Sequence, residues 1–254
     1  MVQEFSRDRI LPNAEAIDKL DKELSLGLLR EMGELGLIGV DTPEEYGGTE
    51  LDKITSCIVT EGMARGGSPS FSCTFSVQTG IGSMGIVFYG TPAQKEKYLP
   101  KMMTGEWVNA YALTEPGAGS DALSGKTTAY LSEDGKHYIL NGDKQFISNG
   151  SWADVFTVLA QVDGDKFSGF IVDKNTEGFD VGPEEKKMGM KGSSTTPLKF
   201  TNAIVPAENL LFKVGKGATI AFNALNVGRY KLAAACIGGS KLGLEHAISY
   251  AKNR

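Results

Sequence analysis

The stretch YALTEPGAGSDALSGKTTAYLSEDGK, residues 111–136, is the part of the sequence whose reading decides the fold. Gly117, Gly119 and Ala122 fall in the order G-x-G-x-x-A, the spacing of a dinucleotide-binding turn. Gly125-Lys126-Thr127 imitates the end of a P-loop, but the P-loop's first glycine position holds Ser120. Both motifs require a helix directly behind them, because the phosphates rest on its N-terminus. Two short β-rich runs follow instead, residues 127–131 and 137–140, around the hairpin signal Asp134-Gly135. A nicotinamide-dinucleotide enzyme would demand a helix immediately after Ser120, and the sequence predicts strand. The loop reads better as an irregular cradle, in which glycines expose backbone N–H groups and let the chain approach a ligand. Thr114 and Ser120 add hydroxyls. On composition alone, a plain glycine turn is the simpler explanation.

Working outward, the chain changes character twice. Residues 1–106 read as helical: Leu24, Leu28, Leu29, Met32 and Leu35 follow helical spacing. Thr91-Pro92 is a helix start, with threonine as N-cap and proline at the first helical position, and Pro100 and Gly105 mark its expected end. Residues 71–89 read as one continuous helix. Residues 107–213 read as a β domain, with strands expected at 107–113, 155–162, 167–172 and 198–205 besides the hairpin. From 214 to 254 the helical period returns through Ile220, Ala224, Val227, Ala234, Ile237, Leu242, Leu244 and Ile248. Helices, then strands, then helices predict an α+β multidomain chain: a helical N-terminal domain, a β-barrel or sandwich middle domain, and the start of a helical-bundle C-terminal domain. The last segment carries no capping glycine or proline, so the chain is expected to stop inside a third domain.

Composition removes several classes of function. The 254 residues are 41% hydrophobic and 22% charged, which is ordinary globular usage. The net charge of −5 argues against nucleic acid as a partner. Three separated cysteines suggest no disulfide framework and fit a reducing compartment. Two histidines and no paired cysteines leave no metal-site signature. No run approaches eighteen consecutive apolar residues, so no transmembrane segment is expected. The start lacks the apolar core of a signal peptide.

Residues 112–124 match the signature of the acyl-CoA dehydrogenase family at every defined position. Three further blocks agree in order and spacing. Residues 141–154 (NGDKQFISNGSWAD) resemble the family's second flavin segment; 187–195 (KMGMKGSST) with 205–209 (VPAEN) resemble its β-domain exit; 225–229 (LNVGR) resemble the opening of its third domain. The resemblance implies FAD, an acyl-CoA substrate, fatty-acid β-oxidation, and electron-transfer flavoprotein as acceptor. It further implies a homodimer or homotetramer when full length, and a cytoplasmic location, or the mitochondrial matrix in a eukaryote.

By that resemblance, Tyr111, Ala112, Leu113, Thr114, Glu115, Pro116, Gly117, Ala118, Gly119 and Ser120 form one flavin wall, and Phe146, Ile147 and Ser148 the other. Phe146 stands where the family often has tryptophan. Ser120, Asn226, Val227, Gly228 and Arg229 would approach the acyl-CoA. Taken alone, Arg229 reads as a solvated helix arginine. Gly82 and Gly85, at i and i+3, resemble the very-long-chain branch, where such glycines deepen the acyl cavity; close helix contact is the competing explanation. The general base is expected outside the chain, since most of the family keeps it far along the third domain. One branch places it just before the arginine of the 226–229 segment, and that position here is Gly228. Glu115 is not the family's base. The chain alone is therefore expected to be inactive. A non-catalytic flavin or acyl-CoA binding chain is the alternative.

Overall fold

The computed structural model describes residues Met1–Arg254. The N-terminal part is helical: α1 (Val2–Phe5), α2 (Ala14–Asp18), α3 (Lys22–Glu34), α4 (Lys53–Ala64), α5 (Pro69–Ser76), α6 (Met84–Tyr89) and α7 (Pro92–Met103). Local chemistry starts these helices. The Asp21 and Asp52 carboxylates accept from the N–H groups of Leu24 and Thr55, and Ser68 Oγ accepts from Phe71 N–H. Thr91 and Gln94 form a reciprocal capping box at α7. α7 passes through Pro100 instead of ending there. Tyr98, Leu99, Met102 and Met103 are all buried, and that burial offsets the roughly 3 kcal/mol cost of an interior proline.

The expected continuous helix over 71–89 is broken. Val77–Ile81 forms a wide turn, in which Gly82 N–H reaches Val77 O at 3.0 Å. Gly80 lies outside helical space at φ −129°, ψ −105°. The Pro69–Tyr89 segment is long and apolar enough to span a membrane by composition, yet most of it is buried inside the protein.

The middle of the chain builds one mixed sheet from β1 (Asn109–Ala112), β2 (Thr128–Leu131), β3 (His137–Ser148), β4 (Val155–Val162), β5 (Lys166–Asp173), β6 (Phe179–Val181), β7 (Thr195–Pro206) and β8 (Leu210–Leu211). The order is β6-β7-β3-β2-β4-β5-β8, with β1 pairing parallel to β4. β2 and β3 form the expected antiparallel hairpin, Thr128 opposite Asn141. Only a single 3-10 turn, Ala122–Ser124, separates the glycine loop from β2. No nucleotide-binding helix follows Ser120. β6 and β8 were not legible in the sequence because they are two or three residues long.

The last element, α8 (Gly217–Lys252), is one 36-residue helix. Gly217 is required at its start: a Cβ there would sit 2.7 Å from Ser168 N and 2.8 Å from Phe167 O. Ile220, Ala224, Val227 and Ala234 face the protein as expected, whereas Ile237, Leu244 and Ile248 are exposed. α8 packs against α4 and against the broken α5–α6 segment. Lys231 pins it there. Its ammonium meets Asp41 Oδ2 at 2.6 Å and donates to Thr79 O at 2.7 Å, a carbonyl beside the Gly80 break.

Candidate functional site

Two cavities share one wall. The larger, about 770 Å³, is a groove between α5 with its following turn and α8. α5 and the turn contribute Cys73, Ser76, Val77 and Ile81. α8 contributes Leu225, Gly228, Arg229, Leu232, Cys236 and Leu242. With Gly239, the series Leu225, Gly228, Leu232, Cys236, Gly239 and Leu242 steps by three or four residues and presents one helical face. The smaller cavity, about 180 Å³, lies between β1 with the loop after it and the end of β3, lined by Tyr111, Leu113, Thr114, Phe146, Ile147 and Ser148. Val77, Ile81, Leu225 and Ser148 line both. The two segments singled out from the sequence, 111–120 and 146–148, therefore meet side by side at the inner end of an apolar groove.

Local backbone geometry presents these residues. Phe146 adopts φ +59° and is 57% exposed, an unusual state for an aromatic side chain. It sits where β3 slips register against β7, between Lys144 and Ile147; such a bulge re-aims side chains. Gln145 N–H donates to Thr114 O at 2.9 Å and ties the bulge to the loop. Tyr111 is buried, and its hydroxyl has no hydrogen-bond partner. Burial raises that phenol far above its ordinary value.

The remaining expected residues divide. Pro116, Gly117, Gly119 and Ser120 are exposed at the loop surface, and a Cβ on Gly117 or Gly119 would meet no atom within 4 Å. Ala118 is buried and exchanges backbone hydrogen bonds with Glu115. Ala112 faces the core. Glu115 does not face the cavity: its carboxylate is turned inward to Lys144 at 2.7 Å and to the N–H groups of Lys126 and Thr127. Desolvation pushes that carboxyl up, but Lys144 and these donors outweigh it and hold it below its ordinary value. It is a structural anion rather than a candidate base.

Among the residues expected to meet the acyl group, Gly228 and Arg229 line the groove. Asn226 is exposed beside the groove and accepts from Arg229 Nη1 at 2.6 Å. Val227 points the other way, into the core. Gly82 and Gly85 line neither cavity. A Cβ at Gly82 would stand 1.8 Å from Asn109 Oδ1, and one at Gly85 would touch Ile220, Leu211 and Thr157 at 3.3–3.6 Å. They are contact glycines in this structure, because β1, β4 and α8 fill the space beside them. The groove residues of α8 beyond Arg229, and Cys73 and Ser76, escaped the sequence reading. The three-to-four-residue rhythm from Leu225 to Leu242 was the signal that could have found them. No aspartate or glutamate lines either cavity.

Residues 1–106 match the family model described as acyl-CoA dehydrogenase, N-terminal domain, and residues 110–203 that of acyl-CoA dehydrogenase, middle domain. A probable acyl-CoA dehydrogenase of Bacillus subtilis is 55% identical over 99% of this chain, and the match spans 42% of that protein. A second Bacillus subtilis acyl-CoA dehydrogenase is 44% identical over all of this chain and 67% of its own length. Neither description names an acyl chain length. The crystal structure of an acyl-CoA dehydrogenase complexed with FAD from Bacillus anthracis superposes with a TM-score of 0.97 at 50% identity, covering all of this chain and 43% of that one. The chain thus spans less than half the length of the first relative and of that structure.

Proposed function

The chain belongs to the acyl-CoA dehydrogenase family, and from that membership we propose that it supplies the cofactor wall and thioester groove of an FAD-dependent oxidation of an acyl-CoA to its α,β-unsaturated product. The observation that carries the reading is the junction of the two cavities at Val77, Ile81, Leu225 and Ser148. A ring held in the smaller cavity would face a chain laid in the larger.

The residues suit an isoalloxazine. Phe146 offers an exposed aromatic face, Tyr111 an unpartnered buried hydroxyl, and Thr114 and Ser148 further polar groups. Gly117 and Gly119 leave backbone uncovered at the loop surface. Bound FAD would supply the acceptor for the β-carbon hydride. The protein's own contribution is positioning and exclusion of water. The apolar side chains of Val77, Ile81, Leu225 and Leu232 shield the reacting end, which strengthens hydrogen bonds to the developing enolate oxygen. Arg229 brings a cation to the same groove.

Since no carboxylate lines either cavity, the base that takes the α proton comes, in this proposal, from outside these residues. The 254-residue chain by itself is expected to turn over no acyl-CoA. Electron-transfer flavoprotein is the proposed acceptor. For substrate we propose a long acyl chain. The support is now the groove itself: 770 Å³ lies toward the upper part of the usual ligand-pocket range. Gly239 and Gly243 keep its α8 wall low, with no atom within 4 Å of a Cβ at either.

The test is spectral. Titration with FAD should give a structured flavin band and quenched flavin fluorescence; an unaltered free-flavin spectrum defeats the cofactor assignment. Affinity for C4, C8 and C16 acyl-CoA should rise with length, and Gly239→Leu should erase that trend. A parent that prefers C4 rejects the long-chain reading.

A further inference from the structure

Glu115 and Lys144 form the more deeply buried of the two interior ion pairs, with side chains 7% and 1% exposed. Their position gives the pair a task beyond cohesion. The loop that begins at Pro116 has an exposed, unpacked tip: Gly117, Gly119, Ser120 and Asp121 face solvent. What holds it is at its base. The Glu115 carboxylate accepts from Lys126 N–H at 2.5 Å and from Thr127 N–H at 3.1 Å, so one side chain gathers both ends of the loop. Gly125 belongs to the same device, because a Cβ there would press on Glu115 Oε1 at 2.9 Å. Lys144 Nζ reaches across to Glu115 Oε1 at 2.7 Å and also donates to Leu113 O at 3.2 Å. Lys144 is the last β3 residue in register before the bulge that carries Phe146, and pairing resumes at Ile147 and Ser148. The pair is therefore the side-chain link between the two walls of the smaller cavity, beside the backbone bond from Gln145 to Thr114.

We propose that Glu115 and Lys144 are positioning residues of the ring site: the carboxylate closes the 115–127 loop, and the ammonium sets that loop's height against the bulge at Phe146, so that Tyr111, Thr114 and Phe146 meet one ligand together. This rests on the flavin reading above. The pair lines neither of the two cavities and acts through the backbone groups it holds. Apolar residues of similar volume can replace a buried ion pair with little loss of stability, or with a gain. They cannot hold Lys126 N–H, Thr127 N–H and Leu113 O, so they separate cohesion from positioning.

The experiment compares the parent, Lys144→Met and the double variant Glu115→Leu/Lys144→Met, reading the apoprotein Tm, the FAD dissociation constant and the quenching of bound flavin fluorescence. Lys144→Met should lower Tm and weaken FAD together. The double variant should regain part of the lost Tm, the released backbone groups costing the rest, yet bind FAD at least tenfold more weakly than the parent, with less quenching. A double variant with parental Tm and parental FAD affinity overturns the proposal and makes the pair merely structural. Should the double variant fail to fold, Gly125→Ala serves, since it displaces the carboxylate without removing a charge. Several-fold weaker FAD with Tm nearly kept supports the proposal, and unchanged FAD affinity overturns it. A parent that takes up no FAD sinks the flavin reading and this inference with it, whereas a parent that binds while the variants bind equally sinks only the inference.

Discussion

Gly82→Ala separates the two meanings a helical glycine can have beside a ligand groove. Gly82 has helical backbone, φ −77°, ψ −37°, so alanine alone would be worth about 1 kcal/mol of helix propensity. The packing opposes it. The new methyl would lie 1.8 Å from Asn109 Oδ1, 2.7 Å from Asn109 Cγ and 2.9 Å from the backbone oxygen of Val77. Asn109 cannot simply swing aside. It is fully buried, its amide donates to Gln78 O at 3.0 Å, its backbone N–H is held by Gln78 Oε1, and its carbonyl accepts from Asn149. Overpacking costs about 1–3 kcal/mol, and breaking one buried hydrogen bond costs about 1–3 more. After the propensity gain, the net loss is about 1–5 kcal/mol, or a Tm drop on the order of 2–20 °C for a chain of this size. Gly85→Ala is the internal control: its methyl would make contacts of 3.3–3.6 Å and should move Tm by no more than about 2 °C. The assay is thermal unfolding of both variants beside an acyl-CoA chain-length series. If Gly82→Ala keeps parental Tm while shifting preference toward short chains, the glycine shapes the acyl cavity and the packing argument is wrong.

Lys231→Met removes the ammonium from Asp41, whose Oδ1 already lacks a partner, and leaves that nearly buried carboxylate only the Ser56 hydroxyl. A loss of about 3–5 kcal/mol is expected, with Asp41→Leu/Lys231→Met recovering much of it in denaturant titrations; no recovery would show the cost to be packing alone. Glu115 titrates below its ordinary value despite desolvation, because Lys144 and the loop N–H groups favour its charge. The native state thus binds that proton more weakly than the unfolded chain. Its contribution is present above about pH 4.3 and is lost as pH falls through the lower native value. Tm of the parent should fall as pH drops below about 4.3, and that of Glu115→Gln should fall less; parallel slopes refute the assignment. Gly119→Val adds a side chain into open space, so stability should stay within about 0.5 kcal/mol while FAD affinity drops. Equal flavin content in variant and parent would remove the loop from the cofactor site.

What could be read from the chain alone rests on short-range physics. The Thr91-Pro92 helix start, the Asp134-Gly135 hairpin and the β4 span at 155–162 are set by residues within a few positions of one another, and each stands where the sequence puts it. The loop at 111–120 was legible for the same reason: its glycines, followed by a strand, exclude the helix-capped phosphate site. Pairings between distant residues were not legible. Gly82 looks like an open position until Asn109 from β1 is laid against it. Glu115 looks like a loop carboxylate until β3 brings Lys144, 29 positions away, within 2.7 Å. Nothing near Lys231 in the sequence marks its partner, which appears only when α8 docks on the Gly80 break and meets Thr79 O, 152 positions upstream. Periodicity marks which face of a helix is apolar, but which elements fill that face and which leave a groove is decided only when α5, α8 and β3 pack together. A buried polar group must find its partner wherever the packed chain happens to bring one.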